Sequence, residues 1–141
     1  IAVWDVPDSE AYKYGIVCPA EGTGEKDEEF AIEDIVEKPG PGEAPSKLAV
    51  AARYAFTPRI FDAIAATEPG VKDELWLTDA IRILLKWGER VRCIRLRQGE
   101  RRYDIGTPLT YYHAFADFAL ADPHYGDDFA NYLRSKLGLE T

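Results

Sequence analysis

An apolar strand that must end at Pro39 constrains this chain more than any other feature of its sequence. Residues 31–36 are mostly apolar and predict a strand buried in a core. The following Pro39-Gly40-Pro41-Gly42 cannot continue it, because proline has no N–H for a ladder and glycine favours turns. Glu37 and Lys38 therefore stand at the C-terminal edge of a buried strand.

This acid and base at the strand end are candidates for binding a ligand. Successive side chains of an extended segment point to opposite faces, so Glu37 and Lys38 are not predicted to form a simple surface ion pair. A charged pair that opens into a loop at this edge is typical of ligand sites in α/β proteins. The alternative is that both residues only mark where the strand meets water.

Composition narrows the classes of partner for a chain of 141 residues, which is one domain or part of one. The net charge of −8 argues against nucleic acid, because a phosphate backbone needs a basic face. A small phosphorylated ligand remains compatible, since a few local Lys or Arg residues suffice to bind it. No apolar run approaches the ~20 residues of a membrane span, so no membrane partner is predicted.

Cysteine usage and the first residues of the chain predict its surroundings. Cys18 and Cys93 lie in apolar, strand-like segments without a CxxC partner, which predicts buried free thiols and a reducing cytoplasm. Residues 1–4 are already strand-like, whereas an N-terminus is more often polar and frayed. We therefore expect that further residues precede Ile1.

Hydrophobic periodicity and turn residues divide the chain into strands and helices. Strands are predicted at 1–6, 12–18, 30–37, 48–56 and 91–96, with a hairpin tip in the polar stretch 20–29. Helices are predicted to begin at Thr57-Pro58, near Thr78-Asp79, at Thr107-Pro108, and at Asp127 or Asp128. Gly15 lies inside a predicted strand, which indicates a bulge or the close approach of a ligand or another backbone.

Asp104 is the other residue with candidate chemistry, because it stands at a predicted strand-to-helix junction. Carboxylates at such junctions commonly hold Mg²⁺, with substrate phosphates and water filling the other positions. The alternative makes Asp104 a turn residue or a charge at a helix N-terminus. His113 and His124 are isolated, so neither indicates a metal site.

Short segments occur together in one order along the chain: Tyr14-Gly15-Ile16-Val17, Val36-Glu37-Lys38-Pro39, Leu48-Ala49-Val50 through Arg53-Tyr54, Glu74-Leu75-Trp76-Leu77-Thr78-Asp79-Ala80, and Arg102-Tyr103-Asp104-Ile105-Gly106. Each is common by itself. In register, they resemble the C-terminal half of the bacterial UTP–glucose-1-phosphate uridylyltransferase family, also called UDP-glucose pyrophosphorylases. The resemblance covers essentially the whole chain.

The resemblance implies an α/β fold, part of a Rossmann-like nucleotidyltransferase fold, whose mixed, mostly parallel sheet is flanked by helices. It also implies an enzyme that joins glucose 1-phosphate to UTP with Mg²⁺ and releases pyrophosphate. By the same resemblance, Glu37 accepts hydrogen bonds from glucose hydroxyls and Lys38 is the catalytic residue that holds the sugar phosphate. Gly15 places its backbone against the sugar, and Asp104 is one of two aspartates that hold Mg²⁺.

The chain departs from the family pattern on the nucleotide side. The family's N-terminal half carries a glycine-rich Gly-x-Gly-Thr-Arg loop, a Pro-Lys pair and the other metal-binding aspartate, and this sequence has neither the loop nor the pair. We therefore expect residues 1–141 to be the C-terminal, sugar-binding half of a single domain, inactive alone and forming a homo-oligomer. Two alternatives stay open: a thymidylyl- or cytidylyltransferase for another sugar 1-phosphate, and a non-catalytic sugar-phosphate-binding domain.

Overall fold

The computed structural model describes residues 1–24, 27–70 and 73–139, and it divides the chain into two compact units, Ile1–Glu100 and Arg101–Thr141. The first unit contains the strands β1 (Ala2–Asp5), β2 (Gly15–Pro19), β3 (Glu29–Glu37), β4 (Leu48–Val50) and β5 (Arg92–Arg95) and the helices α1 (Arg59–Ala65) and α2 (Leu77–Lys86). The second contains α3 (Pro108–Leu120) and α4 (Gly126–Leu137). Every helix within the described ranges falls short of the length and apolarity that a bilayer crossing requires.

The strands of the first unit close into a small barrel in the order β1, β4, β2, β3, β5, and β5 pairs back onto β1. β2 and β3 form an antiparallel hairpin in which Gly15 is the partner of Glu37. β4 lies antiparallel between β1 and β2, and β3 continues antiparallel onto β5. The tip predicted for the β2–β3 hairpin includes residues 25 and 26, which lie outside the described residues.

The prediction of a mixed sheet is confirmed, whereas the prediction of a mostly parallel sheet is wrong for the part of the chain that the structure describes. There, the parallel pairing is that of β1 with β5, and the other neighbours run antiparallel. Parallel neighbours need a long crossover, which the chain between β1 and β5 provides, whereas a short connection reverses the strand direction. The hairpin between β2 and β3 is such a reversal.

The second strand starts later than its apolar pattern predicts. Asp8–Lys13 form a short 3-10 helix, and the Tyr14 N–H closes it with a hydrogen bond to the Ala11 carbonyl at 3.1 Å. β2 therefore begins at Gly15, so that this glycine stands at the strand's start rather than inside it. The irregularity in the ladder lies between Cys18 and Pro19, and not at Gly15.

The fourth strand is also shorter than predicted, ending at Val50 rather than at Phe56. Ala52 has a φ of 53°, and this left-handed conformation takes the backbone out of the extended region. The following residues form a loop up to α1. This loop carries Tyr54, whose ring stacks on Phe56 with a centroid distance of 5.4 Å.

One apolar core fills the barrel. In β3 the side chains of Phe30, Ile32 and Ile35 are buried between exposed or half-buried neighbours. The main cluster is completed from the other strands and from α2, and comprises Val3, Val17, Phe30, Ile32, Ile35, Leu48, Val50, Ile81 and Cys93. Burial of one such large side chain contributes roughly 1.5–3 kcal/mol, so the α2 residue Ile81 fixes this helix on the barrel.

Both cysteines are free thiols, as predicted. Cys93 is fully buried, and this burial raises the pKa of its thiol to about 11. Cys18 is only partly buried, which corrects the prediction for it, and its Sγ donates to Glu33 Oε1 at 3.4 Å. Burial raises the pKa of the Cys18 thiol and the neighbouring Glu33 raises it further, so neither thiol is activated as a nucleophile.

Helix α2 is held on the barrel by an ion pair as well as by apolar packing. Arg82 donates from Nε to Asp34 Oδ1 at 2.8 Å and from Nη2 to Oδ2 at 3.1 Å. The helix begins at Leu77, as its pattern predicts, and it stops before Gly88, whose φ of 83° suits only glycine well. The ion pair thus ties the middle of α2 to β3.

Helix α1 begins differently from the prediction of a threonine cap. Pro58 already has helical dihedral angles, and no side chain caps the first turn, so Thr57 does not act as the N-cap. α1 packs on α2 through a second apolar cluster of Ile60, Ala63, Ala80 and Leu84.

The second unit consists of α3 and α4, and the cap predicted for α3 is confirmed. Thr107 Oγ1 accepts from the Thr110 N–H at 3.2 Å, and Thr110 Oγ1 accepts from the Thr107 N–H at 3.2 Å. α4 begins at Gly126, so the predicted caps Asp127 and Asp128 lie in its first turn instead. Along α3, the apolar side chains of Leu109, Tyr112 and Leu120 are exposed and that of Ala116 is half-buried.

Candidate functional site

The site is centred on Glu37, the last residue of β3. Glu37 lies opposite Gly15, the first residue of β2, and the Lys38 N–H still donates to the Tyr14 carbonyl at 3.0 Å. The hairpin thus continues one residue past β3 and fixes the backbone on both sides of the carboxylate. The predicted stop at Pro39 follows immediately, and residues 38–47 form no strand.

Lys38 does not continue the alternation of the strand, which corrects the expectation that Glu37 and Lys38 point to opposite faces. Its φ is 44°, in the left-handed region that side-chain-bearing residues rarely adopt. As a result, Lys38 Nζ lies 3.8 Å from Glu37 Oε1. The Glu37 side chain is only 18% exposed and that of Lys38 is 55% exposed, so a half-buried acid stands beside an accessible cation.

Because the backbone of Lys38 is left-handed, we expect glycine to be more stable than alanine at this position, the reverse of their usual order. The conformation costs a side-chain-bearing residue roughly 1–2 kcal/mol, whereas glycine adopts it freely but loses about 0.5–1 kcal/mol in chain entropy. We expect Lys38→Gly to be more stable than Lys38→Ala by about 0.5–1 kcal/mol in urea unfolding. Lys38→Ala is the matched control, because both variants lack the ammonium. Equal or greater stability of Lys38→Ala would contradict strain at this position.

Thr78, in the first turn of α2, holds the other oxygen of the Glu37 carboxylate. Thr78 Oγ1 donates to Glu37 Oε2 at 3.2 Å, and Thr78 is 5% exposed. A Cβ atom placed on Gly15 would lie 3.0 Å from Glu37 Oε2 and 3.0 Å from Thr78 Cγ2. Gly15 therefore has a packing reason in this fold: its bare backbone leaves room for the pair of Glu37 and Thr78.

Tyr54 also lies within the electrostatic reach of Glu37. Burial raises the pKa of the Tyr54 phenol, and the negative charge of Glu37 raises it further. The phenol consequently stays neutral and keeps its O–H as a donor near physiological pH. Together with Thr78, Tyr54 supplies the neutral hydroxyl groups that accompany the charged pair.

Asp104, in the second unit, lies in a segment without regular secondary structure that precedes α3, rather than at the end of a strand, which corrects the predicted junction. Its Oδ1 accepts from the Gly106 N–H at 3.0 Å, and its Oδ2 accepts from Arg102 Nη2 at 3.0 Å. These two contacts lower the pKa of Asp104, the backbone hydrogen bond contributing most. The side chain is exposed, and its local contacts are those of a turn residue.

The chemistry of Asp104 is compatible with magnesium. The carboxylate is ionised, and each of its oxygens retains a lone pair beyond the contacts described above, as a hard cation requires. Arg102 is a competing positive charge on the same carboxylate. Across residues 1–24, 27–70 and 73–139, no three His, Cys, Asp or Glu side chains converge on a metal site, so substrate phosphates and water would have to complete the coordination.

Sequence reasoning selected Gly15, Glu37 and Lys38, and the structure brings these three together. The sequence alone assigned no role to Thr78 or Tyr54, although both residues lie inside the segments that carry the family resemblance. One signal could have identified Thr78: it is a threonine in the first turn of a helix laid on the core. The hydroxyl of such a threonine has no preceding helical carbonyl to bind, so it needs another partner.

Comparisons with known proteins show the family to which the chain belongs. Residues 1–120 match the nucleotidyl transferase family model, and the chain belongs to that family. A UTP–glucose-1-phosphate uridylyltransferase of Streptococcus pneumoniae serotype 4 is 41% identical over 140 residues, which are 99% of this chain and 45% of that protein. A Staphylococcus epidermidis protein of the same name is 33% identical over 134 residues, 95% of this chain and 44% of that protein.

Solved structures show the same relationship. A UTP-bound UGPase from Acinetobacter baumannii superposes with a TM-score of 0.77 at 34% identity, covering 94% of this chain and 44% of that one. A UDP-glucose pyrophosphorylase complexed with UDP-glucose gives a TM-score of 0.73 at 34% identity, covering 84% and 42%. The chain thus spans less than half the length of each of these relatives.

Proposed function

We propose that this chain is the sugar-binding part of a UTP–glucose-1-phosphate uridylyltransferase, which forms UDP-glucose and pyrophosphate. The observation that carries the proposal is the half-buried Glu37 carboxylate with the accessible Lys38 ammonium 3.8 Å away, at the end of β3. A sugar 1-phosphate needs both groups, because its hydroxyls donate to a carboxylate and its phosphate pairs with a cation. The similarity to uridylyltransferases supports this substrate.

In this proposal each residue has a separate task. Glu37 accepts hydrogen bonds from the glucose hydroxyls, and its burial makes those bonds stronger than they would be in water. Lys38 pairs with the sugar phosphate, for which a compact, mobile ammonium is suited. The backbone at Gly15 lies beside them, where the absence of a Cβ lets the sugar and the Glu37 side chain share the space.

The reaction requires positioning and charge neutralisation rather than a protein nucleophile. A phosphate oxygen of glucose 1-phosphate forms a bond to the α-phosphorus of UTP, and the bond from that phosphorus to the β-phosphate oxygen breaks, releasing pyrophosphate. Lys38 offsets the charge of the attacking phosphate as the two anions approach. Magnesium, which Asp104 would help to hold, would supply further charge neutralisation on the phosphates.

Direct binding of glucose 1-phosphate tests the proposal on the chain itself. We expect a titration of the ¹⁵N-labelled chain to shift the amide resonances of Gly15, Lys38 and Thr78. Glucose 6-phosphate is the matched control, because it carries the same groups with the phosphate at the wrong end, and it should shift them less. The proposal would be contradicted if glucose 1-phosphate left these resonances unchanged, or if both compounds shifted them equally.

A further inference from the structure

The two oxygens of the Glu37 carboxylate have different partners. Oε2 accepts from Thr78 Oγ1 at 3.2 Å, whereas Oε1 lies 3.8 Å from the accessible Lys38 ammonium. One oxygen is therefore anchored to α2 by a buried hydroxyl, and the other lies beside the cation that a ligand phosphate would approach. A glutamate side chain without such an anchor would sample several rotamers.

Thr78 is chemically matched to this anchoring task. Its methyl group Cγ2 would lie 3.0 Å from a Cβ at Gly15, so it packs closely over that glycine. A β-branched side chain has few allowed χ1 rotamers, and the packed methyl group selects one of them. The hydroxyl on the same carbon is consequently aimed at Glu37, and its donor hydrogen has a stable acceptor.

We propose that Thr78 is a positioning residue for sugar recognition: it holds the Glu37 carboxylate in the one orientation in which glucose hydroxyls can bind it. This inference rests on the function proposed above for the Glu37 site. Preorganisation of the carboxylate avoids the entropy loss of ordering it when the sugar binds. Thr78 itself makes no contact with the sugar in this proposal.

Two substitutions of Thr78 separate the contribution of its hydroxyl from that of its methyl group. Thr78→Val keeps the methyl group and the shape but removes the donor, so we expect affinity for glucose 1-phosphate to fall about tenfold, as for a lost hydrogen bond to a charged group. Thr78→Ser keeps the donor but loses the methyl group that fixes its rotamer, so it should retain more of the affinity than Thr78→Val and less than the parent. Affinity for inorganic phosphate, which needs only Lys38, should be unchanged in both variants.

Titration of the chain with glucose 1-phosphate and with inorganic phosphate, followed by NMR, measures these affinities, and melting curves monitor folding. Thr67→Val is the matched control, because Thr67 Oγ1 donates to the Ala63 carbonyl at 2.8 Å and not to a carboxylate. It should leave both affinities unchanged. A loss of phosphate affinity equal to the loss of glucose 1-phosphate affinity in Thr78→Val would overturn the positioning role and indicate a structural one.

A double variant with Glu37→Gln distinguishes failure of this inference from failure of the proposed function. If Thr78 acts through Glu37, Thr78→Val should have little further effect once Glu37 is replaced. Additive effects would overturn the inference, as would a normal affinity in Thr78→Val when Glu37→Gln binds weakly. If Glu37→Gln itself binds glucose 1-phosphate normally, the proposed sugar site fails. Should Thr78→Val not fold, a folded Thr78→Ser that binds glucose 1-phosphate as weakly as Glu37→Gln would overturn the role of the hydroxyl.

Discussion

The 141-residue chain is expected to form no detectable UDP-glucose when it is supplied with UTP, glucose 1-phosphate and Mg²⁺. The family resemblance assigns triphosphate binding to a Gly-x-Gly-Thr-Arg loop, which these residues do not contain. Without a bound and oriented triphosphate, the in-line attack loses the benefit of positioning, which supplies about 7–11 kcal/mol of the barrier in favourable cases. Pyrophosphate release, followed with a coupled assay, measures the effect.

A protein that joins this chain to the nucleotide-binding half of a uridylyltransferase is the control, and it should turn over both substrates. The chain alone should nevertheless bind glucose 1-phosphate at Glu37 and Lys38, so that binding and turnover are separated. Turnover by the purified chain, free of any longer enzyme, would show that the nucleotide side is not missing.

Glu37→Gln and Asp104→Asn are expected to impair the joined protein in different ways. Glu37→Gln keeps the size of the side chain but leaves a neutral, weaker acceptor for the glucose hydroxyls. A lost hydrogen bond to a charged group is worth about 1.5–3 kcal/mol, or roughly ten- to hundred-fold in the KM for glucose 1-phosphate. Asp104→Asn should instead weaken Mg²⁺ binding, because a carboxylate ligand becomes a neutral amide.

A Mg²⁺ titration of initial rates at fixed UTP and glucose 1-phosphate distinguishes the two variants. Extra Mg²⁺ should partly restore Asp104→Asn and leave Glu37→Gln unchanged. Arg102→Met is a useful comparison, because it removes the cation that lies 3.0 Å from Asp104 Oδ2 and should lower the Mg²⁺ requirement. The same Mg²⁺ dependence in Asp104→Asn as in the parent would exclude Asp104 as a ligand, and unfolding of Asp104→Asn in melting curves would favour its role in the turn.

Local chemistry made several elements readable from the sequence. The Pro-Gly stretch after Lys38 predicts the end of β3, because it removes ladder donors, and the structure ends the strand at Glu37. The apolar repeat of α2 predicts a helix laid on the sheet, and Ile81 is buried in the barrel core. Thr107-Pro108 predicts the start of α3, because threonine is a common N-cap. The cap joins Thr107 to Thr110, only three positions further along the chain. These features depend on neighbours along the chain.

The direction of strand pairing was not readable in this way. The family resemblance implied a mostly parallel sheet, yet the described pairings are antiparallel except for that of β1 with β5. Apolar strands of either direction have similar compositions when both faces are buried. Which strands become neighbours is decided by how the whole chain fills one core.

The sequence by itself determined where the candidate site begins, because Glu37 and Lys38 must stand where proline ends the strand. Only the tertiary structure decided what surrounds them. The left-handed backbone of Lys38 brings its ammonium toward the carboxylate, and the docking of α2 places Thr78, 41 residues away in sequence, within hydrogen-bonding distance of Glu37. Such a contact depends on packing between distant segments, whereas patterns along the chain report only on near neighbours.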